Sequence, residues 1–328
     1  MNTFRDVIGR KNITEHLKNA IRLNRVSHAY IFCGEDGIGK NFVADIFAAA
    51  LQCSEYNGEP CCRCKACRQA ESGNHPDIIR VLHQKAAIGV DDIRAQLNND
   101  IAIKPYSGRF KIYIVDEAEK MTEAAQNALL KTIEEPPEYA VILLLTNNTS
   151  AFLPTILSRC VMLNLKTVSR ESIRTYLMET CRIPDYQAEV AAAFSGGNLG
   201  KAIRYASSED FAHRRDDVLH LVKYIDEMQI SEIMEYLKHL AEDKPAIQDC
   251  LDLMLLWYRD VLLFKATRDT EQIIYKEELF TIQKQAAEKS FEALGHIIQS
   301  FGTVRTRLNA NVNFEASVEL LLLALQEK

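Results

Sequence analysis

The segment GEDGIGKN, at positions 34–41, differs in one residue from the phosphate-binding loop G-x-x-x-x-G-K-[ST]. In such loops backbone N–H groups surround the phosphates, the lysine contacts the β- and γ-phosphate oxygens, and the final hydroxyl is a ligand of Mg²⁺. The glycines and the lysine are present as Gly34, Gly37, Gly39 and Lys40. Asn41 stands in place of the hydroxyl residue. The sequence therefore predicts a phosphate-binding loop but leaves open whether ATP and Mg²⁺ are bound there, and whether ATP is hydrolysed.

An acidic pair, Asp116 and Glu117, follows the apolar stretch KIYIV about 75 residues further along the chain. In nucleotide-hydrolysing sheets an Asp at such a strand end holds Mg²⁺, and a neighbouring Glu orients the attacking water. The alternative is an acidic pair that opens an exposed turn, and the glycine loop upstream favours the nucleotide site. Asn147, just after the next strand, is a weaker candidate for contact with a γ-phosphate, because polar residues are common in turns after strands.

Five of the nine cysteines lie between positions 53 and 67. Four of them have a spacing that suits a closed tetrahedral Zn²⁺ site, which would fold a loop that has no core of its own: Cys53, Cys61, Cys64 and Cys67. Cys62 competes with Cys61 on spacing, but only Cys61 leaves two equal gaps. A redox dithiol or scattered buried thiols are the alternatives. A catalytic zinc centre is a poor interpretation, because four cysteine ligands leave no open position for water.

Arg159 stands in the tripeptide SRC, just before the last predicted strand. An arginine at the rim of a sheet can reach a phosphate bound to a neighbouring molecule and act as an arginine finger. A lone exposed arginine is more often a solvated surface residue. The tripeptide by itself does not decide between these two interpretations.

These residues need a scaffold that brings them together, and the sequence predicts a parallel sheet. Short apolar runs alternate with helical patterns, which is typical of an α/β fold with helices on both faces of the sheet. The runs lie at 29–33, 77–82, 111–116, 140–146 and 160–165. Ligands of such sheets bind at the carboxyl ends of the strands, which is where the glycine loop and the acidic pair are expected.

Strand signals stop after about residue 165, and the rest of the chain is predicted to be helical. Three short helical patterns are followed by continuous helical periodicity from about residue 208. A length of 328 residues favours two or three domains, and a net charge of −6 gives no overall attraction to nucleic acid or membrane. With no signal peptide and no apolar run long enough to span a bilayer, we expect a cytoplasmic protein without a membrane partner.

Taken together, several segments resemble the AAA+ ATPase fold of bacterial clamp-loader subunits. They are HAYIFCGEDGIGK, the four-cysteine insertion, IYIVDEAEKMTEAAQNALLKTIEEPP, LLLTNN, LPTILSRC and RLNANVNFEASVELLLLAL. The cysteine insertion combined with SRC is the most specific part. The resemblance implies an α/β P-loop AAA+ module over residues 1–165 with a zinc insertion at 53–67, a small helical lid over 166–207, and an all-α collar domain over 208–328.

The resemblance also implies a function. Clamp-loader subunits of DNA polymerase III, among them tau/gamma and delta, form a hetero-pentameric ring that loads the sliding clamp onto primed DNA in replication. The match is best to the stator, a rigid subunit whose SRC arginine, here Arg159, completes the ATP site of the adjacent motor subunit. Nothing in the sequence resembles a polymerase active site, so DNA-directed DNA polymerase (nucleotidyltransferase) activity would belong to the assembly.

Two departures from the motor subunits weaken hydrolysis by this chain itself. Motor subunits have Ser or Thr after the loop lysine and an arginine in the lid, where this sequence has Asn41 and Lys201. We therefore predict a stator with little or no turnover of its own. The alternative is an ATP-hydrolysing, tau/gamma-like motor, which the retained acidic pair favours.

Overall fold

The computed structural model describes residues 2–83, 86–225, 227–229, 231–233, 244–309 and 312–326. The chain forms two compact units: the first comprises Met1–Ile173 with Gly197–Lys201, and the second Arg174–Gly196 with Ala202–Lys328. The finer division into a P-loop module, a lid and a collar stays a prediction. Parts of the predicted collar, positions 234–243 among them, lie outside the described residues.

The first unit is built on one five-stranded sheet in which every pairing is parallel. In chain order the strands are β1 (Ala29–Cys33), β2 (Ile78–Val81), β3 (Lys111–Val115), β4 (Ala140–Thr146) and β5 (Val161–Asn164). Their order across the sheet is β2-β3-β4-β1-β5, so β1 lies between β4 and β5. All of the predicted strands are present, each within one residue of its expected bounds.

Alternate side chains of the strands fill two apolar cores, one on each face of the sheet. In β4 every residue is buried. Leu143 of this strand packs in the core that contains Phe47, whereas the adjacent Leu144 packs in the core that contains Leu129. A strand that is buried on both faces is a continuous apolar run in the sequence, which is why these strands are predictable.

Among the described residues of the first unit, one α-helix precedes β1, and the next five helices lie between successive strands. They are α1 (Lys11–Arg22), α2 (Lys40–Gln52), α3 (Lys65–Glu71), α4 (Val90–Ile93), α5 (Glu123–Glu134) and α6 (Pro154–Leu157). A π-helix over Arg94–Asn98 continues α4. α5 begins after Thr122, whose side chain accepts a hydrogen bond from the N–H of Ala125 and so caps the first turn.

The remaining described helices confirm the predicted helical carboxyl-terminal region. They are α7 (Arg170–Glu179), α8 (Asp185–Phe194), α9 (Leu199–Ser207), α10 (Glu209–Tyr224), α11 (Lys244–Thr267), α12 (Leu279–Glu288), α13 (Phe291–Asn309) and α14 (Phe314–Leu325). Buried Trp257 donates to Gln285 Oε1 at 2.8 Å, and Gln285 Nε2 donates to the carbonyl of Val222 at 2.8 Å. These bonds connect α10, α11 and α12. Because the polar groups involved are buried, each of them needs a hydrogen-bond partner within the protein. Within the described residues, no helix has the length and apolar character needed to cross a membrane.

Asp77, directly before β2, anchors the loop that precedes β3. Its side chain is buried and accepts hydrogen bonds from the backbone N–H groups of Ser107 and Gly108 at 2.8 Å, and from that of Tyr106. Burial is the largest single influence on the pKa of Asp77 and raises it, but the three N–H donors together outweigh burial and hold this pKa below its usual value. An ionised carboxylate therefore fixes the turn.

Replacing Asp77 with Asn should lower the free energy of unfolding at pH 7 by about 2–3 kcal/mol, because bonds to a charged acceptor are lost and an NH₂ group is turned toward N–H donors. The pKa is lowered in the folded protein, so the carboxylate stabilises the fold above its unfolded pKa of about 4, and this contribution is lost as the pH falls below that value. Urea unfolding of wild type and Asp77→Asn should therefore differ more at pH 7 than at pH 3.

The matched control is Glu138→Gln, which removes an exposed carboxylate. It should change the free energy of unfolding by less than about 0.5 kcal/mol at either pH. Equal stability of Asp77→Asn and wild type at pH 7 would contradict the anchoring role.

Candidate functional site

The glycine-rich loop, residues 34–39, leaves the carboxyl end of β1 and leads directly into α2. Its first residue continues the sheet, because the N–H of Gly34 donates to the carbonyl of Thr146 at 3.0 Å. Its last residue, Gly39, has a φ of 103°, a left-handed conformation that glycine adopts without steric cost. The loop therefore lies at the amino end of α2, where free backbone N–H groups favour an anion.

Lys40 is 7% exposed, and its ammonium group lies within the loop. Nζ donates to the carbonyls of Gly34 at 2.7 Å and Glu35 at 3.1 Å, and to Asp36 Oδ1 at 3.1 Å. Asp36 Oδ2 accepts a bond from Asn147 Nδ2 at 3.2 Å. Burial is the largest influence on the pKa of Asp36 and raises it, but the bonds from Lys40 and Asn147 lower this pKa overall. The fold thus brings the loop, its lysine and Asn147 together.

Asn41 lies between an aspartate and an arginine. Its Nδ2 donates to Asp116 Oδ2 at 2.7 Å, and its Oδ1 accepts from Arg80 Nη1 at 3.0 Å. Arg80, in β2, also forms an ion pair with Asp45, one turn further along α2. A direct hydrogen bond between amide and carboxylate therefore lies where a hydroxyl and an aspartate would share a Mg²⁺ ion.

Glu117 follows Asp116 in a left-handed conformation, with a φ of 49°. Its carboxylate lies 2.7 Å from Lys120 Nζ and 3.5 Å from His83 Nε2. Its backbone N–H donates to Asp116 Oδ1 at 3.0 Å. Glu117 thus lies next to Asp116, and its carboxylate is paired with Lys120.

The segment at the start of α9 lies against the glycine-rich loop. The N–H of Gly200 donates to the carbonyl of Gly37 at 3.1 Å, and a Cβ at position 200 would lie only 2.4 Å from that oxygen. Buried Asn198 donates through Nδ2 to the carbonyl of Asp36 at 2.8 Å. Lys201 joins this group through its backbone N–H, which donates to Asn198 Oδ1 at 3.2 Å. Contact of the Lys201 side chain with a nucleotide stays a prediction.

Arg10 supports the end of the loop from within the first unit. Its side chain is buried, and Nη2 donates to the carbonyls of Ile38 at 2.7 Å and Lys166 at 3.3 Å. Burial lowers the pKa of Arg10, but a guanidinium pKa is high enough for the group to remain charged. Its two carbonyl contacts tie the loop to the segment that follows β5.

The four cysteines of the predicted metal site converge between α2 and α3, with all of their Sγ atoms within 4.8 Å of one another. A tetrahedral Zn²⁺ with Zn–S distances near 2.3 Å requires sulfurs about 3.8 Å apart, so the cluster has the right size for a metal ion. Three backbone N–H groups donate to these sulfurs at 3.3 to 3.4 Å. They are those of Cys61, Cys64 and Cys67.

Cys62 does not belong to this cluster. Its φ is 61°, and its Sγ donates to the carbonyl of Pro60 at 3.4 Å. Within the cluster, burial opposes ionisation of Cys64, but bonds from the N–H groups of Ser54 and Cys67 lower the pKa of its thiol to about 6. The thiolate is the form that binds metal, so Cys64 is the ligand whose ionisation the cluster favours, whereas burial raises the pKa of the Cys53 and Cys67 thiols.

Arg159 follows α6, and its contacts are local. Nη1 donates to the carbonyl of Thr155 at 3.1 Å and to Ser158 Oγ at 3.2 Å, and Nη2 lies 3.1 Å from Glu134 Oε1. The side chain is 40% exposed. Exposed ion pairs contribute about 0.2–1 kcal/mol, so little free energy opposes release of this guanidinium toward another molecule.

The sequence patterns do not identify several residues that complete these contacts. They are Arg10, Asp45, Arg80, Asn198 and Gly200. One signal was present: Arg80 is the lone charged residue in the apolar strand IIRV. No local sequence pattern predicts the contact of Gly200 with the glycine-rich loop, because this contact forms between two segments that are far apart in the sequence.

Two family models match most of the chain. The model described as DNA polymerase III, delta subunit, matches residues 9–169. The model described as DNA polymerase III, delta subunit, C terminal, matches residues 209–327.

Named relatives match over a similar range. DNA polymerase III subunit delta' of Bacillus subtilis is 31% identical, over 95% of this chain and 94% of its own length. DNA polymerase III subunit tau of the same species is 29% identical over 87% of this chain, which spans only 54% of that protein. A solved structure of a DNA polymerase III gamma subunit-related protein from Thermotoga maritima is 19% identical in sequence. The structural match covers 95% of this chain and 98% of that protein's chain, with a TM-score of 0.49.

The match to subunit delta' covers 95% of this chain and 94% of that protein, and the two family models match residues 9–169 and 209–327. The chain therefore belongs to the DNA polymerase III delta subunit family, together with subunit delta' of Bacillus subtilis.

Proposed function

We propose that this chain is the delta' subunit of a clamp loader. It takes its place in a hetero-pentameric ring with tau/gamma and delta subunits, which loads the sliding clamp onto primed DNA for replication in the cytoplasm. The observation that carries this proposal is the match to subunit delta' over 95% of this chain and 94% of that protein. The helical carboxyl-terminal region serves as the collar through which the subunits of the ring associate.

Within the ring the chain acts as a stator with little or no ATP hydrolysis of its own. Asn41 supports this role, because its NH₂ group faces Asp116 where a motor needs an oxygen ligand for Mg²⁺. The alternative is a tau/gamma-like motor, which the retained Lys40 and Glu117 favour. Weak nucleotide binding is compatible with either role, since the loop glycines and Lys40 contact phosphates independently of position 41. Asn147 and Lys201 are further candidate contacts.

The four-cysteine cluster holds one structural Zn²⁺. Four thiolates form a closed tetrahedral set without an open coordination position, which is the ligand set of structural zinc. The insertion contacts α1, because Glu59 Oε1 lies 2.8 Å from Lys18 Nζ and the carbonyl of Asn57 accepts from Arg22 Nε at 3.0 Å. The metal thus orders a loop that contacts and supports α1.

Arg159 acts in trans, at the ATP site of the neighbouring motor subunit. Three observations support this role: the side chain is exposed, its ion pair with Glu134 lies at the surface and is weak, and the residue follows α6. A guanidinium that approaches the γ-phosphate from a neighbouring subunit neutralises charge that develops in the transition state.

Replacing Cys61 with Ser should remove the zinc, whereas replacing Cys62 with Ser should not, because only the Cys61 sulfur belongs to the cluster. Elemental analysis should give about one zinc per chain for wild type and Cys62→Ser and none for Cys61→Ser. The sheet should stay folded in both variants, since the buried residues of its two cores lie outside the insertion, which adds only the partly buried Tyr56. Zinc retained in Cys61→Ser but lost in Cys62→Ser would reverse the assignment.

Replacing Arg159 with Ala should leave assembly of the ring intact but slow ATP hydrolysis by the adjacent motor. A finger accelerates a site that depends on it by about 10³ or more, yet only one site of the ring is affected. Total ATPase activity should therefore fall partially, and clamp loading should fall further. Glu134→Ala is the control, because it removes the partner and keeps the arginine; normal clamp loading with Arg159→Ala would exclude the finger role.

The isolated chain should hydrolyse ATP far more slowly than the ordinary turnover of about 1 per second or more. The reason is that Asn41 offers a donor, not an oxygen, at the metal position. Phosphate release measures the turnover, and calorimetry with wild type and Lys40→Ala measures any nucleotide affinity. Turnover near about 1 per second that Lys40→Ala abolishes would favour the motor over the stator.

A further inference from the structure

We infer that Arg80 excludes a divalent cation from the phosphate-loop site by fixing the orientation of the Asn41 amide. This inference deepens the proposed stator function, on which it rests for its biological meaning. Its physical basis is the set of contacts among Asn41, Arg80, Asp116 and Asp45, all within the first unit. Arg80 is a positioning residue, since it acts through Asn41.

The orientation of the amide follows from its two neighbours. An asparagine side chain has one oxygen, which can bind a metal, and one NH₂ group, which can only donate. Arg80 Nη1 donates at 3.0 Å and so requires the oxygen. The NH₂ group must then face Asp116, whose Oδ2 accepts it at 2.7 Å. A reversed amide would set two donors against each other at Arg80 and two oxygens against each other at Asp116, so only the observed orientation is stable.

This orientation leaves no position for Mg²⁺. The ion needs oxygen ligands at about 2.0–2.1 Å in octahedral geometry, and a contact of 2.7 Å between Asn41 and Asp116 has no room for an ion between them. The second oxygen of Asp116 accepts the N–H of Glu117 at 3.0 Å, which uses one of its two lone pairs. The residues present therefore do not fit the metal that an ATP-hydrolysing loop requires.

Arg80 is itself held in place and supplies positive charge. Its Nη2 forms an ion pair with Asp45, which lies four residues after Asn41 and hence on the same face of α2. The guanidinium thus bridges β2 and α2 and neutralises one of two neighbouring carboxylates, Asp45 and Asp116. A divalent cation at this place would meet a fixed cation as well as an NH₂ group.

The test measures Mn²⁺ binding to the full chain by electron paramagnetic resonance, with and without ATP, since Mn²⁺ occupies Mg²⁺ sites and is directly visible. Wild type should show no Mn²⁺ bound at this site. Arg80→Ala removes the donor that holds the amide oxygen, so that a bound Mn²⁺ can take this oxygen as a ligand beside Asp116, and the double variant Arg80→Ala/Asn41→Thr restores a hydroxyl. Both should bind Mn²⁺ at least about tenfold more tightly than wild type, the range over which residues that orient metal ligands act.

Two controls complete the experiment. Arg25→Ala removes another exposed arginine of the same unit and should leave Mn²⁺ binding as in wild type. Adding Asp116→Asn to the double variant should abolish the gained site, which assigns it to this place. Because the Arg80 side chain is 41% exposed, its truncation should leave the fold intact, and circular dichroism checks this.

The inference is overturned by wild-type Mn²⁺ binding that depends on Asp116, and equally by Arg80→Ala protein that binds Mn²⁺ no more tightly than wild type. Neither readout uses ATP turnover or clamp loading. A ring that loads clamps normally without this chain would count against the proposed function and would leave the Mn²⁺ result unchanged, so the two failures are distinguishable.

Discussion

The placement of β1 between β4 and β5 is the constraint on which the candidate site depends. Hydrogen bonds from Gly34 N to Thr146 O at 3.0 Å and from Leu165 N to Cys33 O at 2.7 Å extend the ladder beyond the end of β1, so the phosphate loop begins at a fixed point. β3 and β4 are the next strands on one side, and Asp116 and Asn147 follow them. Residues far apart in sequence meet at one sheet edge because of strand order alone.

The same edge can hold different chemistry without any change in the scaffold. Around Asn41 the polar groups satisfy one another: the amide bonds both Arg80 and Asp116, and Lys40 bonds the loop carbonyls. A polar cluster whose members are all paired is stable by itself and rigid. Rigidity of this kind fits the proposed stator function, whereas a motor needs polar groups that are free to bind nucleotide and metal.

Much of this arrangement could be predicted from the sequence, for identifiable reasons. The strands are buried on both faces and so appear as apolar runs, and the cysteine spacing reflects the geometry of one local loop. The orientation of the Asn41 amide could not be predicted, because it depends on Arg80 from a different strand. Hydrophobic periodicity does not distinguish the π-helix at Arg94–Asn98 from the α-helix that it continues. Local chemistry is visible in a sequence, and pairings between distant segments are not.

The contact between Gly200 and Gly37 has a consequence for how this protein can evolve. Every amino acid other than glycine would place a Cβ 2.4 Å from the Gly37 carbonyl oxygen, so position 200 cannot change unless the loop backbone moves as well. A single substitution there passes through a strained intermediate, and the two segments are therefore constrained to diverge together. Selection can readily vary the exposed surface around this contact, but the loop and the start of α9 behave as one inherited unit.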